Sequence, residues 1–304
     1  MIQANLTEEQ YLKNYPALTK GIDRRVEKDK RKLPFFKPLV EGYVSDYQVF
    51  LACECYINPG KETTYYIMRR LQQFTLGFFQ CPLHHGELFD LMLDDTVHQV
   101  YGDSNRAKAS TTKWVLALQT AWVTRNQSAL DYLLSQDFSE IYQRSASHET
   151  VYEDVAATYY ALATGKDVED RLLRAQFSPS TLDGNPAKLD RAELLLLPPI
   201  DVIATIAFEE GEARFNQAIE NALLQHQRYY KKDPDIATPD TALSLPLMGL
   251  AALAYDRLGY RVTVENRYIP QWLVEHQDWS QLPPLADDSL RLNFPVRTRN
   301  PLEK

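Results

Sequence analysis

Three aspartates and a histidine stand close together in the sequence, at Asp90, Asp94, Asp95 and His98. If this stretch is a helix, aspartates one turn apart can hold Mg²⁺ and a diphosphate between them. Such a site also needs a third carboxylate near position 98 and a complete second set of ligands on a facing helix, and the sequence offers neither. We therefore interpret the aspartates as the solvated side of an amphipathic helix. A metal-dependent helical enzyme using Asp90, Asp94 and Asp95 is the third of three functional hypotheses.

Cysteine and histidine come together in the segment Cys81-Pro-Leu-His84-His85. A structural zinc site needs four ligands, usually in two closely spaced pairs. Cys53 and Cys55 offer another pair, but on a helix their thiols point about 200° apart. The pattern favours buried cysteines and loop histidines. The sequence also lacks the zinc-protease, nucleophile-elbow, dinucleotide and phosphate-loop motifs. It therefore predicts no catalytic residue, no metal and no cofactor.

The charge balance narrows the class of partner. The 304 residues include 33 Lys and Arg against 41 Asp and Glu, for a net charge of −8. This acidity argues against a nucleic-acid partner, which requires a dense positive surface. There is no apolar run of roughly 18 residues to span a membrane, and no signal peptide at the N-terminus. Because the three cysteines are odd in number and lie in apolar segments, we expect a cytoplasmic protein with reduced thiols.

Apolar residues recur at helical spacing through most of the chain. Two such stripes are Trp114, Leu118, Ala121, Trp122 and Phe215, Ile219, Ala222, Leu223, His226. His226 lies on its stripe, so we interpret it as a core histidine rather than a catalytic base. Tight turns separate the helices at Asn126, Gly165, Gly211 and Gly259, where Gly or Asn supplies the left-handed cap conformation. The sequence therefore predicts an all-α fold of stacked antiparallel helical hairpins, an irregular α-solenoid-like or helical-bundle domain.

Charge and proline content divide the sequence into three segments. Residues 1–40 carry a net charge of +4, and we expect them to form a basic segment that docks through Phe35 and Phe36. Residues 41–280 are expected to form a single helical domain, and residues 281–304 an irregular C-terminal tail.

Smaller features of the sequence also carry predictions. Arg261-Val-Thr-Val-Glu265 alternates and fits one short strand. Pro198 and Pro199 must end or kink a helix before Ile200. Either Ser244 caps a helix that has Pro246 in its first turn, or Pro246 kinks a longer helix.

The C-terminal third of the sequence resembles a known family. Three segments carry the resemblance: Ile203-Ala-Thr-Ile-Ala-Phe208 to His226, Thr241-Ala-Leu-Ser244 to Gly259, and Arg261-Val-Thr-Val-Glu265 to Pro270. Two earlier segments, Trp114 to Arg125 and Leu130 to Leu134, are similar to the middle helices of the same family. These segments resemble the immunity protein 49 family of bacterial polymorphic toxin systems, over roughly residues 105–276. The resemblance implies a cytoplasmic bacterial antidote that binds and blocks a sister toxin, and it implies no fixed set of binding residues.

The lead hypothesis is thus an immunity protein that neutralises a toxin by occluding it, without catalysis. The second hypothesis is a helical-repeat adaptor that binds another cytoplasmic protein through a concave face. Acidic clusters would steer a basic toxin to the surface. The candidate partner-binding residues are Asp94, Asp95, Glu209, Glu210 and Glu212.

Overall fold

The computed structural model describes residues 1–5, 7–31, 39–94, 96–102, 109–144, 150–182, 185–231, 239–282 and 302. The chain divides into two compact units. The helical unit comprises Met1–Asn5 and Ser110–Glu275, and the hairpin unit comprises Leu6–Ala109 and His276–Lys304. The division near residue 110 falls inside the segment 41–280 that the sequence assigns to one domain, and that assignment stays a prediction.

The hairpin unit is built from three long helices and one β-hairpin. Its elements are α1 (Glu8–Arg31), α2 (Leu39–Ile57), α3 (Glu62–Leu83), β1 (Leu88–Leu93) and β2 (Thr96–Tyr101), with a single 3₁₀ turn at Trp279–Gln281. Tyrosine and phenylalanine rings hold the helices together. Tyr11 of α1 stacks on Tyr56 of α2 with ring centroids 4.3 Å apart, and Tyr43 of α2 stacks on Phe74 of α3 at 5.2 Å. Tyr11 thus joins α1 to α2, and Phe35 and Phe36 lie outside the described residues, so docking of the basic segment through them stays a prediction.

The expectation of a helix around Asp90–His98 is wrong, because this stretch forms the antiparallel hairpin β1–β2. Along β1, exposed and buried side chains alternate, and Phe89, Leu91 and Leu93 point inward. The turn forms without glycine, since Asp94 adopts a left-handed backbone with φ 54°. Aspartate tolerates this conformation better than most residues. Inward Leu91 packs on α3 at Gly77, where an added Cβ would lie 2.6 Å from its Cδ1 atom.

The helical unit stacks short and medium helices around a large apolar core. Its helices are α4 (Thr111–Thr124), α5 (Gln127–Ser135), α6 (Phe138–Arg144), α7 (Thr150–Thr164), α8 (Val168–Phe177), α9 (Pro186–Arg191), α10 (Pro198–Ala207), α11 (Glu212–Lys231), α12 (Leu245–Leu258) and α13 (Gln271–Val274). Both predicted stripes are buried. Trp114 is fully enclosed, and its indole N–H donates to the Leu133 carbonyl at 3.0 Å. The prediction of an all-α fold is confirmed, with the β1–β2 hairpin as its one small sheet in the described ranges.

The helix ends follow the sequence signals at two of the four predicted turns. Gly165 and Gly259 each have a φ of 71°, as a left-handed cap requires. At the turn before α11 the expectation is wrong, because Gly211 directly precedes α11 and Glu209 takes the left-handed conformation after α10, with φ 51°. At the fourth turn the expectation is wrong, because Arg125 takes the left-handed conformation, with φ 50°. Asn126 instead begins α5, and its side chain accepts a hydrogen bond from the Ala129 N–H at 3.1 Å.

Proline and serine at the remaining boundaries behave as two of the predictions require. A π-helical turn at Ala192–Leu196 ends before α10, which begins at Pro198. Ser244 occupies the N-cap position of α12 with Pro246 in the first turn, so Pro246 does not kink a longer helix, but the Ser244 side chain makes no capping hydrogen bond. The predicted strand at residues 261–265 is wrong, since this segment is irregular. Its neighbour Asn266 forms an isolated bridge with Ile2.

Candidate interaction surfaces

The turn between α10 and α11 places the predicted acidic residues on the surface of the helical unit. Glu209, Glu210 and Glu212 are all exposed. Phe208, which immediately precedes them, is 51% exposed, an unusual setting for an aromatic side chain. Glu209 adopts a left-handed backbone with φ 51°, between the end of α10 and the start of α11. We name Phe208–Glu212 the acidic turn.

Hydrogen bonds from the rest of the helical unit fix the acidic turn. The Glu212 carboxylate accepts from the Arg261 N–H at 2.7 Å, and the Gly211 N–H donates to the Tyr260 hydroxyl at 3.0 Å. Arg214 pairs with Asp201 at 2.6 Å and lies 3.6 Å from the Glu210 carboxylate. Glu212 is therefore partly occupied by a contact within the fold. Among the described residues, the structure gives no ion pair for the Glu209 carboxylate.

Asp94 belongs to the fold of the hairpin unit rather than to an open acidic cluster. Arg70 of α3 donates to both of its carboxylate oxygens, at 2.6 and 2.8 Å. The side chains of Arg70 and Asp94 are only 5% and 18% exposed. Asp95, the neighbouring candidate, lies outside the described residues. The partner-binding role of Asp94 stays a prediction, but its carboxylate is already bound by a cation of the same chain.

Arg70 and Gln73 together clamp the hairpin turn to α3. Gln73 accepts from the Asp94 N–H at 2.8 Å and donates to the Asp94 carbonyl at 3.1 Å. Arg70 also donates to the Tyr47 hydroxyl at 3.2 Å, while burial raises the pKa of Tyr47 to about 12. Burial alone would lower the pKa of Arg70. The hydrogen bonds and charges of Asp94 and Tyr47 raise it by more, so the pKa of Arg70 lies above its ordinary value. Arg70 therefore keeps its charge beside Asp94.

The two described aspartates of the metal hypothesis, Asp90 and Asp94, do not share one face. Asp90 lies on the exposed side of β1, where its carboxylate accepts a hydrogen bond from Gln99 of β2. Asp94 points to Arg70 instead. Among the described residues there is no group of three or more His, Cys, Asp or Glu arranged to hold a metal ion. The spacing in the sequence fitted a helix, and the hairpin separates the two described carboxylates.

Burial disfavours the thiolate form of Cys53 and Cys55, two cysteines of the hairpin unit that form no disulfide. Cys53 is buried, and burial raises the pKa of its thiol to about 11. Burial also raises the pKa of Cys55. His84 stacks on Phe89 with ring centroids 4.7 Å apart, and burial lowers its pKa. Protonated thiols are poor nucleophiles and poor metal ligands, so Cys53 and Cys55 have the character of packing residues.

His226 is the core histidine that the stripe predicts. It is 7% exposed, and its Nε2 atom lies 2.6 Å from the Asp240 carbonyl oxygen. The rings of Tyr230 and Tyr268 pack against it, with centroids 4.9 and 4.8 Å away. Burial lowers the pKa of His226 to about 4, so the imidazole is neutral near pH 7 and donates through Nε2.

One exposed apolar surface of the hairpin was not predicted from the sequence. Leu88 and Met92 of β1 and Val97 of β2 are 50%, 46% and 51% exposed, on the outward side of the hairpin. Met92 pairs with Val97 across the strands. The sequence has two short apolar runs separated by Asp94-Asp95. This pattern fits a hairpin with a two-residue loop as well as it fits a helix.

The comparisons with known proteins give one match. None of the helices in the described ranges is both long enough and apolar enough to cross a bilayer. No curated protein and no solved structure matched the chain. The family model described as immunity protein 49 matches residues 60–273, which is more than two thirds of the sequence and begins well before the resemblance at residues 105–276. The match takes in α3 and the hairpin as well as most of the helical unit, and the chain belongs to the immunity protein 49 family.

Proposed function

We propose that this protein is a cytoplasmic bacterial immunity protein that binds a cognate toxin and neutralises it by occluding it, without catalysing a reaction. The observation that carries the proposal is the family match over residues 60–273, because immunity proteins of polymorphic toxin systems act as antidotes to a sister toxin. A binding role agrees with the candidate side chains that the structure describes, since Arg70 binds Asp94 and Cys53 is buried with a raised thiol pKa.

The acidic turn is the surface that best supports contact with a basic toxin. Its three carboxylates would steer a cationic partner and raise the association rate. Exposed Phe208 supplies the kind of aromatic anchor that dominates protein interfaces. Glu209 also holds a left-handed backbone, where glycine would cost less energy. We place the steering charge here rather than at Asp94, which Arg70 neutralises.

To occlude a toxin, the protein must bind it with high affinity over a sufficiently large interface. A toxin that is lethal at low copy number must be bound with nanomolar affinity or better, about −12 kcal/mol. Interfaces of that strength usually bury on the order of 1,600 Å². The acidic turn alone is too small, so we expect it to form one part of a larger contact surface.

Co-expression with the product of the gene immediately upstream tests this function. Viability would be scored with and without the chain, and the two proteins would then be co-purified. Rescue with a stable one-to-one complex supports the antidote. Toxicity without rescue, or the absence of a complex, would contradict it and favour the adaptor hypothesis. An upstream product that is harmless on its own but forms a stable complex would also favour the adaptor.

A further inference from the structure

The outward face of the β1–β2 hairpin carries a row of apolar side chains interrupted by one carboxylate. Along β1 the outward residues are Leu88, Asp90 and Met92. Across the sheet they pair with Tyr101, Gln99 and Val97 of β2. Exposed apolar side chains gathered on one small sheet are costly in water, and such patches mark contact sites in soluble proteins.

The backbone of the same three residues faces away from the rest of the sheet. The Gly102 N–H donates to the Glu87 carbonyl at 2.9 Å, which fixes the phase of the antiparallel ladder. Because hydrogen-bonded pairs alternate along such a ladder, the odd-numbered residues of β1 bond to β2. Leu88, Asp90 and Met92 therefore direct their N–H and C=O groups outward. Within the described ranges the sheet has only these two strands, so this row is a sheet edge.

The hairpin is held rigidly enough to act as a template. Arg70 and Gln73 fix the turn through four hydrogen bonds to the side chain and backbone of Asp94. On the inner face, Leu91 packs closely against Gly77 of α3. A strand that is already ordered before it meets a partner loses little conformational entropy on binding.

Charge selects the occupant of the edge. Exposed Asp90 lies between Leu88 and Met92, and Glu87 just before the strand is also exposed. A second copy of β1, paired antiparallel in full register, would place the two Asp90 carboxylates directly opposite each other, which is destabilising. A strand with a basic residue between two apolar residues would match both the charge and the apolar row.

We propose that the outer edge of β1 is the docking site for an extended segment of the toxin, which adds to the sheet as a third strand and places a basic residue beside Asp90. The proposal deepens the function proposed above and rests on it for the identity of the partner. Main-chain hydrogen bonds would supply affinity, and the alternate side chains would supply specificity, as in other cases of strand addition.

A synthetic peptide tests the edge independently of any toxin. The probe is acetyl-Thr-Val-Thr-Lys-Thr-Val-Thr-amide, with the Lys→Glu peptide as its matched control, added at millimolar concentration to the full chain. Hydrogen exchange by NMR should show the amides of Leu88, Asp90 and Met92 protected at least tenfold by the lysine peptide and not by the glutamate peptide. Protection at Val97 and Gln99 instead, or none, would overturn the proposal.

Hydrogen exchange of the protein without the peptide has two further outcomes that would contradict the proposal. If the Leu88, Asp90 and Met92 amides are already protected in the monomer, the chain itself covers the edge and the proposal is wrong. If their protection grows with protein concentration together with a dimer in light scattering, a second copy is the occupant and the proposal is equally wrong.

Hairpin variants in the toxin complex separate this proposal from the proposed function. Met92→Pro removes an outward N–H, a change that edge strands tolerate, and Asp90→Lys reverses the central charge. Each should weaken the complex at least tenfold, while Gln99→Lys on β2 should weaken it less than threefold. Unchanged hydrogen exchange at Leu91 would show that the hairpin is intact. If the wild type rescues growth and both β1 variants bind equally well, the docking site is wrong and the antidote function stands.

Discussion

Arg70 on α3 and Asp94 in the hairpin turn form a two-pronged ion pair that ties together elements 24 residues apart in the sequence. Both side chains are largely buried, so neither charge can recover its hydration without the turn moving. A buried pair gives little net stability relative to apolar residues, but losing one partner leaves an uncompensated charge. The pair therefore makes the hairpin strongly dependent on a single carboxylate.

Asp94→Ala should destabilise the protein by about 3 kcal/mol, because Arg70 would then remain buried without its counter-ion. Urea denaturation measures this as a lower free energy of unfolding. Asp90→Ala is the matched control, since Asp90 is exposed on the same hairpin, and its loss should cost no more than about 0.5 kcal/mol. Equal losses for the two variants would show that the Arg70–Asp94 pair does not hold the turn.

The contact between α4 and α12 depends on the absence of a side chain at Gly249. A Cβ added there would lie 2.9 Å from the Cα of Gln119 and 3.0 Å from its carbonyl oxygen. Both are backbone atoms, so the helices themselves must separate. Gly249→Ala should therefore destabilise the helical unit by about 1–2 kcal/mol, even though alanine favours helix.

Gly21 offers the control for that substitution. It also lies inside a helix, α1, but an added Cβ there would have nothing within 4 Å. Gly21→Ala should stabilise the protein by up to about 1 kcal/mol through helix propensity alone. Thermal unfolding of the two variants should thus shift the midpoint in opposite directions. A rise for both would mean that α4 and α12 have room to adjust.

The neutral, buried His226 should make stability depend on pH. Its folded pKa is about 4, below the ordinary 6.5, so the unfolded chain binds more protons between these values. Stability is then fully present above about pH 6.5 and falls as the pH drops toward 4, by at most about 3 kcal/mol.

The His226 contribution can be isolated by subtracting two pH profiles. Asp240 beside it has a raised pKa, caused mainly by burial, and contributes with the opposite sign. The informative quantity is therefore the difference in unfolding free energy between the wild type and His226→Gln, measured from pH 4 to 7. That difference should shrink as the pH falls. A difference that is constant with pH would show that His226 does not titrate below its ordinary range.

The helical architecture was predictable because its signals are local. Trp114, Phe215 and their stripes bury one helix face each, and proline and glycine mark the ends, so the sequence alone indicates where helices lie. The hairpin was not predictable in this way. The spacing of Asp90, Asp94 and His98 fits a helix face, and the residues that hold the hairpin turn, Arg70 and Gln73, are distant from it in the sequence. The exposure of Glu209 and Glu210 was predictable because consecutive acids at a turn are normally exposed, whereas Leu88 and Met92 look like core residues until the strand register is known.

The acidic turn gives the most direct test of how a toxin is attracted. The double variant Glu209→Lys, Glu210→Lys should slow association about tenfold at low salt and flatten its salt dependence, because steering by opposite charge would be lost. Glu220→Lys is the control, since Glu220 is exposed on the adjoining helix α11 and lies outside the turn. Stopped-flow or surface-based kinetics with the purified toxin would measure the rates. Glu209→Gly is a second test. It should stabilise the fold by about 1 kcal/mol, because glycine adopts the left-handed backbone without strain. It should also slow association with the toxin, because the Glu209 charge is lost. If affinity and salt dependence are the same in the double variant as in the wild type, the acidic turn does not take part in toxin binding.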